Sequence, residues 1–190
     1  MAIKDKNKWN EKYKNTPKLL EKRPESYKLS SIISHTKGTN ALDVACGAGR
    51  NSIFLANNGF KVTSLDISEF ALDSLNKMNN PNITTQIADL DDYNFKQEQY
   101  DLIIMTNFLD RLVIPKLLRA LKKDGILFIE TYMFHEENEK PPSNPDFLLK
   151  KEELKSFFND NVEILEYDEF FNEDFELYKM RKQSITIKRK

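Results

Sequence analysis

Beyond residue 40 the chain alternates short apolar runs with stretches whose apolar residues recur every three or four positions, the two signatures of strand and helix. Residues 41–45 (ALDVA) read as a strand, 50–57 as a helix stopped by Asn58-Gly59, and 61–66 (KVTSLD) as a second strand. Ser68 offers an N-cap oxygen to a helix carrying Ala71, Leu72, Leu75 and Met78 on one stripe, until Asn79-Asn80-Pro81 ends it. Residues 83–88 alternate as an edge strand does, whereas 102–105 (LIIM) form a continuous apolar run suited to the centre of a parallel sheet. Pro115 opens a helix with Ile114, Leu117, Leu118 and Leu121 on its buried stripe, and Lys122-Lys123 complement its C-terminal dipole. Residues 125–131 (GILFIET) form the next strand. A polar, proline-rich loop follows at 134–145, then a helix near 151–158, then two β-like stretches at 162–167 and 184–188 with no strong helix between them.

Ahead of this pattern, residues 6–14 predict a short helix with Trp9 and Tyr13 one turn apart, ended by Asn15-Thr16-Pro17. Residues 25–36 predict another, with Leu29, Ile32, Ile33 and Thr36 on one stripe and Gly38 as its stop. Alternating strands and helices imply a parallel sheet with right-handed crossovers, and two closing strands without a crossover helix must run antiparallel. The expectation is a doubly wound α/β sheet, mostly parallel with a terminal antiparallel strand. One domain fills residues 1–190, with 1–37 as an N-terminal helical lid and 40–190 as the core.

Composition narrows the field. A chain of 190 residues with 39% hydrophobic side chains supports one core and hardly two. Lys plus Arg (29) nearly balance Asp plus Glu (30), so no overall field draws the protein to nucleic acid or an anionic membrane. No apolar run approaches the roughly 20 residues of a membrane span, which points to a cytoplasmic protein. One cysteine, Cys46, precludes an internal disulfide, and two histidines, His35 and His135, give no metal-ligand spacing.

The candidate chemistry lies in ALDVACGAGRNSIFL, residues 41–55. Ligands of such a sheet bind at the C-terminal strand ends. Gly47 and Gly49 permit backbone torsions and a close approach that a Cβ would block, and the next helix turns free N–H groups toward an anion. Asp66, about 20 residues past the first glycine and at the end of the next strand, stands where a carboxylate accepts from a ribose diol; it could equally cap the following helix. Ser52 replaces the third glycine of a dinucleotide fingerprint. Asp43 sits inside the strand before the turn, where it would repel a phosphate but could organise the loop or meet an ammonium group. Together these favour a nucleoside joined to a zwitterionic amino acid over a dinucleotide.

At these residues the sequence resembles the class I S-adenosylmethionine-dependent methyltransferases, and within them the tellurite-resistance methyltransferase branch. The stretches that carry it run in order from ALDVACGAGRNSIFLANNGFKVTSLDIS through ADLDDY, YDLIIMTNFLDR and LKKDGILFIETY to NPDFLL, over residues 41–149. The resemblance implies a Rossmann-like seven-stranded sheet and S-adenosyl-L-methionine as cofactor. It implies that Asp43, Gly47 and Gly49 shape the methionine pocket, with Arg50 near the carboxylate. Asp66 would take the ribose hydroxyls, Ile67 would pack on the adenine, and Asp89 with Leu90 would meet the adenine amino edge. Asn107 and Phe108 would lie beside the transferable methyl group. Ala45 stands where many of these enzymes have a further glycine.

Other residues read two ways. Trp9 and Tyr13 are either a staple of their own helix or a lid over the cofactor. Arg111 is either a fork for an anionic acceptor or an ion-pair partner of Asp110 or Glu130. Asp89 opens an acidic run, Asp89-Leu90-Asp91-Asp92, that could be a solvated turn. Cys46 reads as a small packing residue. Phe170, Phe171, Phe175 and Tyr178, interspersed with Glu166, Asp168, Glu169 and Glu173, read as packing for the closing hairpin or the mouth of a substrate site. The function expected is methyl transfer to a small-molecule acceptor that is soft or anionic, such as a thiol, a chalcogen oxyanion or a metalloid, because no general base is visible after the fourth strand. A non-catalytic nucleoside-binding module is the alternative.

Overall fold

The computed structural model describes residues 2–172, 176 and 178–190. Seven strands form one sheet: β1 (Asn40–Val44), β2 (Lys61–Asp66), β3 (Ile83–Ile87), β4 (Tyr100–Thr106), β5 (Leu121–Tyr132), β6 (Val162–Phe171) and β7 (Arg181–Arg189). Their order is β3-β2-β1-β4-β5-β7-β6. The strands β1 to β5 pair in parallel, and β7 runs antiparallel to both of its neighbours, β5 and β6. The helices are α1 (Ala2–Asn15), α2 (Leu29–Ser34), α3 (Arg50–Asn57), α4 (Glu69–Asn76) and α5 (Ile114–Ala120).

The period of 2 along each strand divides the core into two layers. On one face Ala41, Leu102, Ile104, Ile126 and Phe128 pack with Leu29 and Ile32 of α2 and Leu55 of α3. On the other, Ile103, Met105, Leu127, Ile129, Ile185 and Ile187 pack with Ile114 and Leu117 of α5. The LIIM run is apolar throughout because both its faces are covered, and β3 is the edge strand that its alternation suggests.

Three local expectations change. The helix expected over 25–36 shrinks to α2, because residues before it are drawn across the sheet: Ser26 binds Asn51 and Glu130, and Lys28 binds Glu166 at 2.8 Å and Asp168 at 3.0 Å. The helix that Pro115 opens ends at Ala120, so Lys122 does not sit on its dipole but bonds Asp101 at 2.9 Å. The helix near 151–158 is a single 3-10 segment, Glu153–Phe157, entered through Glu152 at φ 57°. Of the closing aromatics, Phe170 stacks edge-on with Tyr27 and Phe171 with His135; Phe175 and Glu173 lie outside the described residues.

Gly49 caps α3 with φ 81°, and a Cβ there would stand 2.5 Å from Leu75 Cδ2 and 2.6 Å from Cδ1. Gly49→Ala therefore combines a left-handed alanine with overpacking against a buried side chain. Urea unfolding should show a loss of about 1–3 kcal/mol. An unchanged midpoint and slope would contradict this account of the turn.

Candidate functional site

Between β1 and α3 the chain turns through three left-handed residues, Ala45 (φ 55°), Gly47 (φ 56°) and Gly49. The turn is held from the next strand. Cys46 N donates to Leu65 O at 2.9 Å, and one carboxylate oxygen of Asp66 accepts from Gly47 N at 2.7 Å while the other accepts from Ser68 N at 2.8 Å. Burial raises the Asp66 carboxyl above its usual range, against the pull of these backbone donors. Ser68 then caps α4, its Oγ accepting from Ala71 N. Both readings of Asp66 are thus compatible: it shapes the turn and the α4 cap from the strand end where a ribose contact is expected.

Ser52 explains itself once its partner is visible. Its hydroxyl donates to Asp43 Oδ2 at 2.6 Å and accepts from Ser64 Oγ at 2.8 Å, all three residues being buried between α3 and the sheet. Asp43 is 1% exposed, so it organises the turn from beneath rather than facing a ligand's ammonium group. Burial pushes its carboxyl up to about 7, only partly countered by the Ser52 hydroxyl and the Arg50 charge.

Arg50, first residue of α3, donates Nη1 to Pro24 O at 3.3 Å. Its Nη2 is buried and has no partner among the described residues. A buried guanidinium nitrogen left unpaired is costly, and a carboxylate is the group whose geometry suits it.

α1 packs against this corner. Asn10 Oδ1 accepts from Ser68 Oγ at 2.7 Å and from Phe70 N at 3.2 Å, and Lys6 pairs with Glu69 at 3.2 Å. Tyr13 brings its hydroxyl to the open side of Gly47, 2.4 Å from where a Cβ would project, and Trp9 lies beside it with ring centroids 6.1 Å apart. Burial, followed by the charge of Asp66, raises the Tyr13 phenol, and the Cys46 thiol is itself raised by burial.

At the end of β4, Asn107 takes φ 55° and donates its N–H to Glu130 O at 2.8 Å, its side chain exposed; Phe108 is half-buried against the core. Ile67 is half-buried beside Asp66. Asp89 caps its own turn, Oδ1 accepting from Asp91 N at 3.1 Å, and Leu90 is a core residue at 8% exposure. Arg111 is an ion-pair residue, as its second reading has it, but with a different partner. Its fork binds Glu153 at 2.6 Å and 3.2 Å and the carbonyls of Asp146 and Leu148 at 2.5 Å and 3.1 Å. All three guanidinium nitrogens are committed to fastening residues 146–153, and neither Asp110 nor Glu130 is the partner.

A second polar group lies on the α3 face beyond β5 and was not anticipated. Ser26 N donates to Asn51 Oδ1 at 3.2 Å and its Oγ donates to Glu130 Oε2 at 2.7 Å; Asn51 Nδ2 donates to Thr106 Oγ1 at 2.8 Å. Lys182 Nζ donates to Glu130 Oε1 at 3.2 Å and to Glu176 Oε1 at 2.7 Å. Glu130 in the apolar run GILFIET was the one signal of it: a charge at an inward strand position needs a buried partner. Among the described residues, no group of three His, Cys, Asp or Glu could hold a metal ion.

Strand order, glycine turn and strand-end carboxylate define a Rossmann-like α/β domain of the kind found in S-adenosylmethionine-dependent methyltransferases. The chain belongs to the family described as "Tellurite resistance protein TehB", which matches residues 1–190. It is 34% identical over 172 residues to the "Probable S-adenosyl-L-methionine-dependent methyltransferase TehB" of Haemophilus influenzae, covering 85% of this chain and 57% of that protein. The chain thus spans little more than half the length of the curated relatives it matches. The crystal structure of TehB from Haemophilus influenzae superposes with a TM-score of 0.74 at 27% identity, over 87% of this chain and 63% of that one. A SAM-dependent methyltransferase from Methanosarcina mazei shares the fold with a TM-score of 0.69 at 16% identity, over 88% and 99% of the two chains.

The Asp43 carboxyl gives a pH test. Its value near 7 when folded lies above the 3.8 of a free aspartate, so its protonated form is favoured by folding. The contribution is complete below about pH 4 and is lost as pH rises through about 7. Ligand-free protein should lose up to about 4 kcal/mol from this group between about pH 4 and pH 8. Asp43→Asn should flatten that slope in urea unfolding; an equal slope in both proteins would refute the assignment.

Proposed function

We propose that the chain binds S-adenosyl-L-methionine over the Ala45–Gly49 turn and promotes transfer of its methyl group to a small-molecule acceptor. The observation that carries this is Arg50: a buried guanidinium nitrogen without a partner, at the N-terminus of α3 and beside a glycine turn, has the charge and geometry for the amino acid's carboxylate. Gly47 and Gly49 give the turn the left-handed torsions that set Arg50 at the start of α3, Asp66 supplies acceptors for a ribose diol, and Ile67 with Asp89 borders the base. When bound, this group supplies an electrophilic methyl on sulfur and departs as a neutral thioether. The protein's own work is to orient the two reactants and exclude water, with α1 as the lid that carries Trp9 and Tyr13, and with Asn107 and Phe108 on the acceptor side.

Arg111 acts at one remove, holding residues 146–153 against the segment after β4. The acceptor class that suits this reading is a soft or anionic nucleophile, a thiol, chalcogen oxyanion or metalloid such as tellurite, rather than nucleic acid, for which the near-neutral chain has no basic field. No helix of the described residues is long and apolar enough to cross a membrane, which accords with a cytoplasmic setting.

S-adenosylmethionine and S-adenosylhomocysteine should raise the thermal midpoint, since each binds the folded state, and NAD should not. Arg50→Met removes only one long hydrogen bond from the free protein, so its midpoint without ligand should stay close to that of the parent. Its calorimetric affinity for S-adenosylmethionine should fall by about 1.5–3 kcal/mol, the range of a charge-assisted contact. Undiminished affinity would overturn the carboxylate assignment, and stabilisation by NAD alone would overturn the reading as a whole.

A further inference from the structure

Tyr132 is the last residue of β5 and stands directly opposite Lys182 of β7. Its hydroxyl donates to Glu176 Oε2 at 2.9 Å, while Lys182 Nζ holds the other oxygen of that carboxylate at 2.7 Å and lies 5.3 Å from the Tyr132 ring centroid. Lys182 is fully buried, but Tyr132 keeps part of its surface open. It lies two residues beyond the last pairing of β5 with β4, at Glu130, whose carbonyl accepts from Asn107 N just past the end of β4. Among the described residues, the charged groups facing Tyr132 are Lys182 from β7, Glu176 from the β6–β7 connection and Arg50 from α3, with Glu130 behind Lys182.

The hydrogen-bond inventory of a phenol decides what this arrangement offers. Tyr132 has a single proton and gives it to Glu176, so to any further partner its hydroxyl presents only lone pairs. It therefore suits a partner that brings a proton of its own. Burial raises the phenol above its ordinary value, so it stays protonated at neutral pH and conducts a proton rather than surrendering one. Burial also works to raise Glu176, but the Lys182 charge and hydrogen bond outweigh it and bring the carboxyl down to about 2. A carboxylate that weak as a base takes no proton from a resting thiol. It does take one from a thiol whose sulfur is being alkylated, because S–H acidity rises steeply as the sulfur gains positive charge.

We propose that Tyr132 and Glu176 form a proton relay on the acceptor side of the site, and that the acceptor is a small neutral thiol. This rests on the methyl-transfer reading above. The thiol's lone pair forms the new S–C bond as the donor's C–S bond breaks, its electron pair leaving with the thioether. The thiol proton passes to Tyr132 Oη, and Tyr132's own proton passes to Glu176 Oε2. Lys182 and Glu130 are positioning residues that fix the carboxylate.

The test compares two probes: 2-mercaptoethanol, a thiol at neutral pH, and thiophenol, already largely a thiolate there and so without a proton to remove. Tyr132→Phe and Glu176→Gln should each lower turnover of 2-mercaptoethanol at about pH 7 by about tenfold or more, the lower range of general-base effects, and turnover of thiophenol by less than about threefold. The deficit with 2-mercaptoethanol should shrink toward about pH 10, where solvent has ionised the thiol. Calorimetry should give an unchanged affinity for S-adenosylmethionine in both variants, together with weakened binding of 2-mercaptoethanol to Tyr132→Phe protein loaded with S-adenosylhomocysteine. Equal losses on both thiols at every pH would reduce Tyr132 to a structural residue and overturn the relay. Wild-type protein that binds S-adenosylmethionine but methylates neither thiol would overturn the thiol assignment, whereas failure to bind it would overturn the proposed function itself.

Discussion

One carboxylate ties the candidate site together. Asp66 ends β2 and uses its two oxygens in two directions, toward Gly47 N in the turn after β1 and toward Ser68 N at the start of α4. Ser68 continues the connection to Asn10 of α1. Turn, strand end, helix cap and N-terminal helix are thus one hydrogen-bonded series, and each link needs the one before it. Charge-assisted bonds of this kind are worth about 1.5–3 kcal/mol each, less than the cost of burying the carboxylate that accepts them. Burial still dominates, since Asp66 is raised rather than lowered. The corner is held in shape at the expense of an easily ionised side chain, and a ligand bringing further donors to Asp66 would favour its charged form.

The beginnings and kinds of most elements were legible because the two periods are clean: β1 to β4 and α3 to α5 start within two residues of where their patterns start. Endings were less so, for identifiable reasons. Residues 25–28 lead into a helical stripe, yet Ser26 and Lys28 gain more from partners on β5 and β6 than from a continued helix. Lys122 and Lys123 read as the finish of a helix until Asp101, 21 residues earlier, is seen to hold the first of them. Long-range partners of single polar residues leave no periodic trace. The same limit governs the site. Glycines, Asp66 and Ser52 stand at fixed offsets in one local unit and could be read from spacing, while Ser26, Glu130 and Lys182 converge from separations of 104 and 52 residues.

Glu130 and Lys182 are both fully buried, a pairing that usually contributes little net stability because each ion gives up its hydration. What such a pair does supply is geometry. Glu130 has one oxygen on Lys182 and the other on Ser26, so it fixes where the 24–28 segment crosses the sheet. Arg50 binds the same segment at Pro24, and Lys28 anchors its far end to β6. The segment joining α1 to α2 is thereby stitched down along its length, and α1 can cover the glycine turn only from the position this stitching allows.

Strand alternation decides which half of the sheet's edge carries this chemistry. Asp43, Thr106, Glu130, Tyr132, Lys182, Glu166 and Asp168 all point to the α3 face, as their partners Ser52, Asn51, Ser26 and Lys28 require. The intervening positions point to the α5 face and serve a different purpose. Gln183 accepts from Leu154 N at 3.1 Å and donates to Lys150 O at 2.6 Å, and Glu169 accepts from Glu152 N at 2.8 Å. With Arg111 they fasten residues 146–154 as scaffold. A one-residue slip of β7 would exchange the two sets, burying Gln183 where Lys182 must meet two carboxylates and leaving Lys182 against the apolar side of Leu149 and Leu154. The buried charges therefore fix the register of the antiparallel strand, and that register is what brings Tyr132 and Lys182 opposite each other.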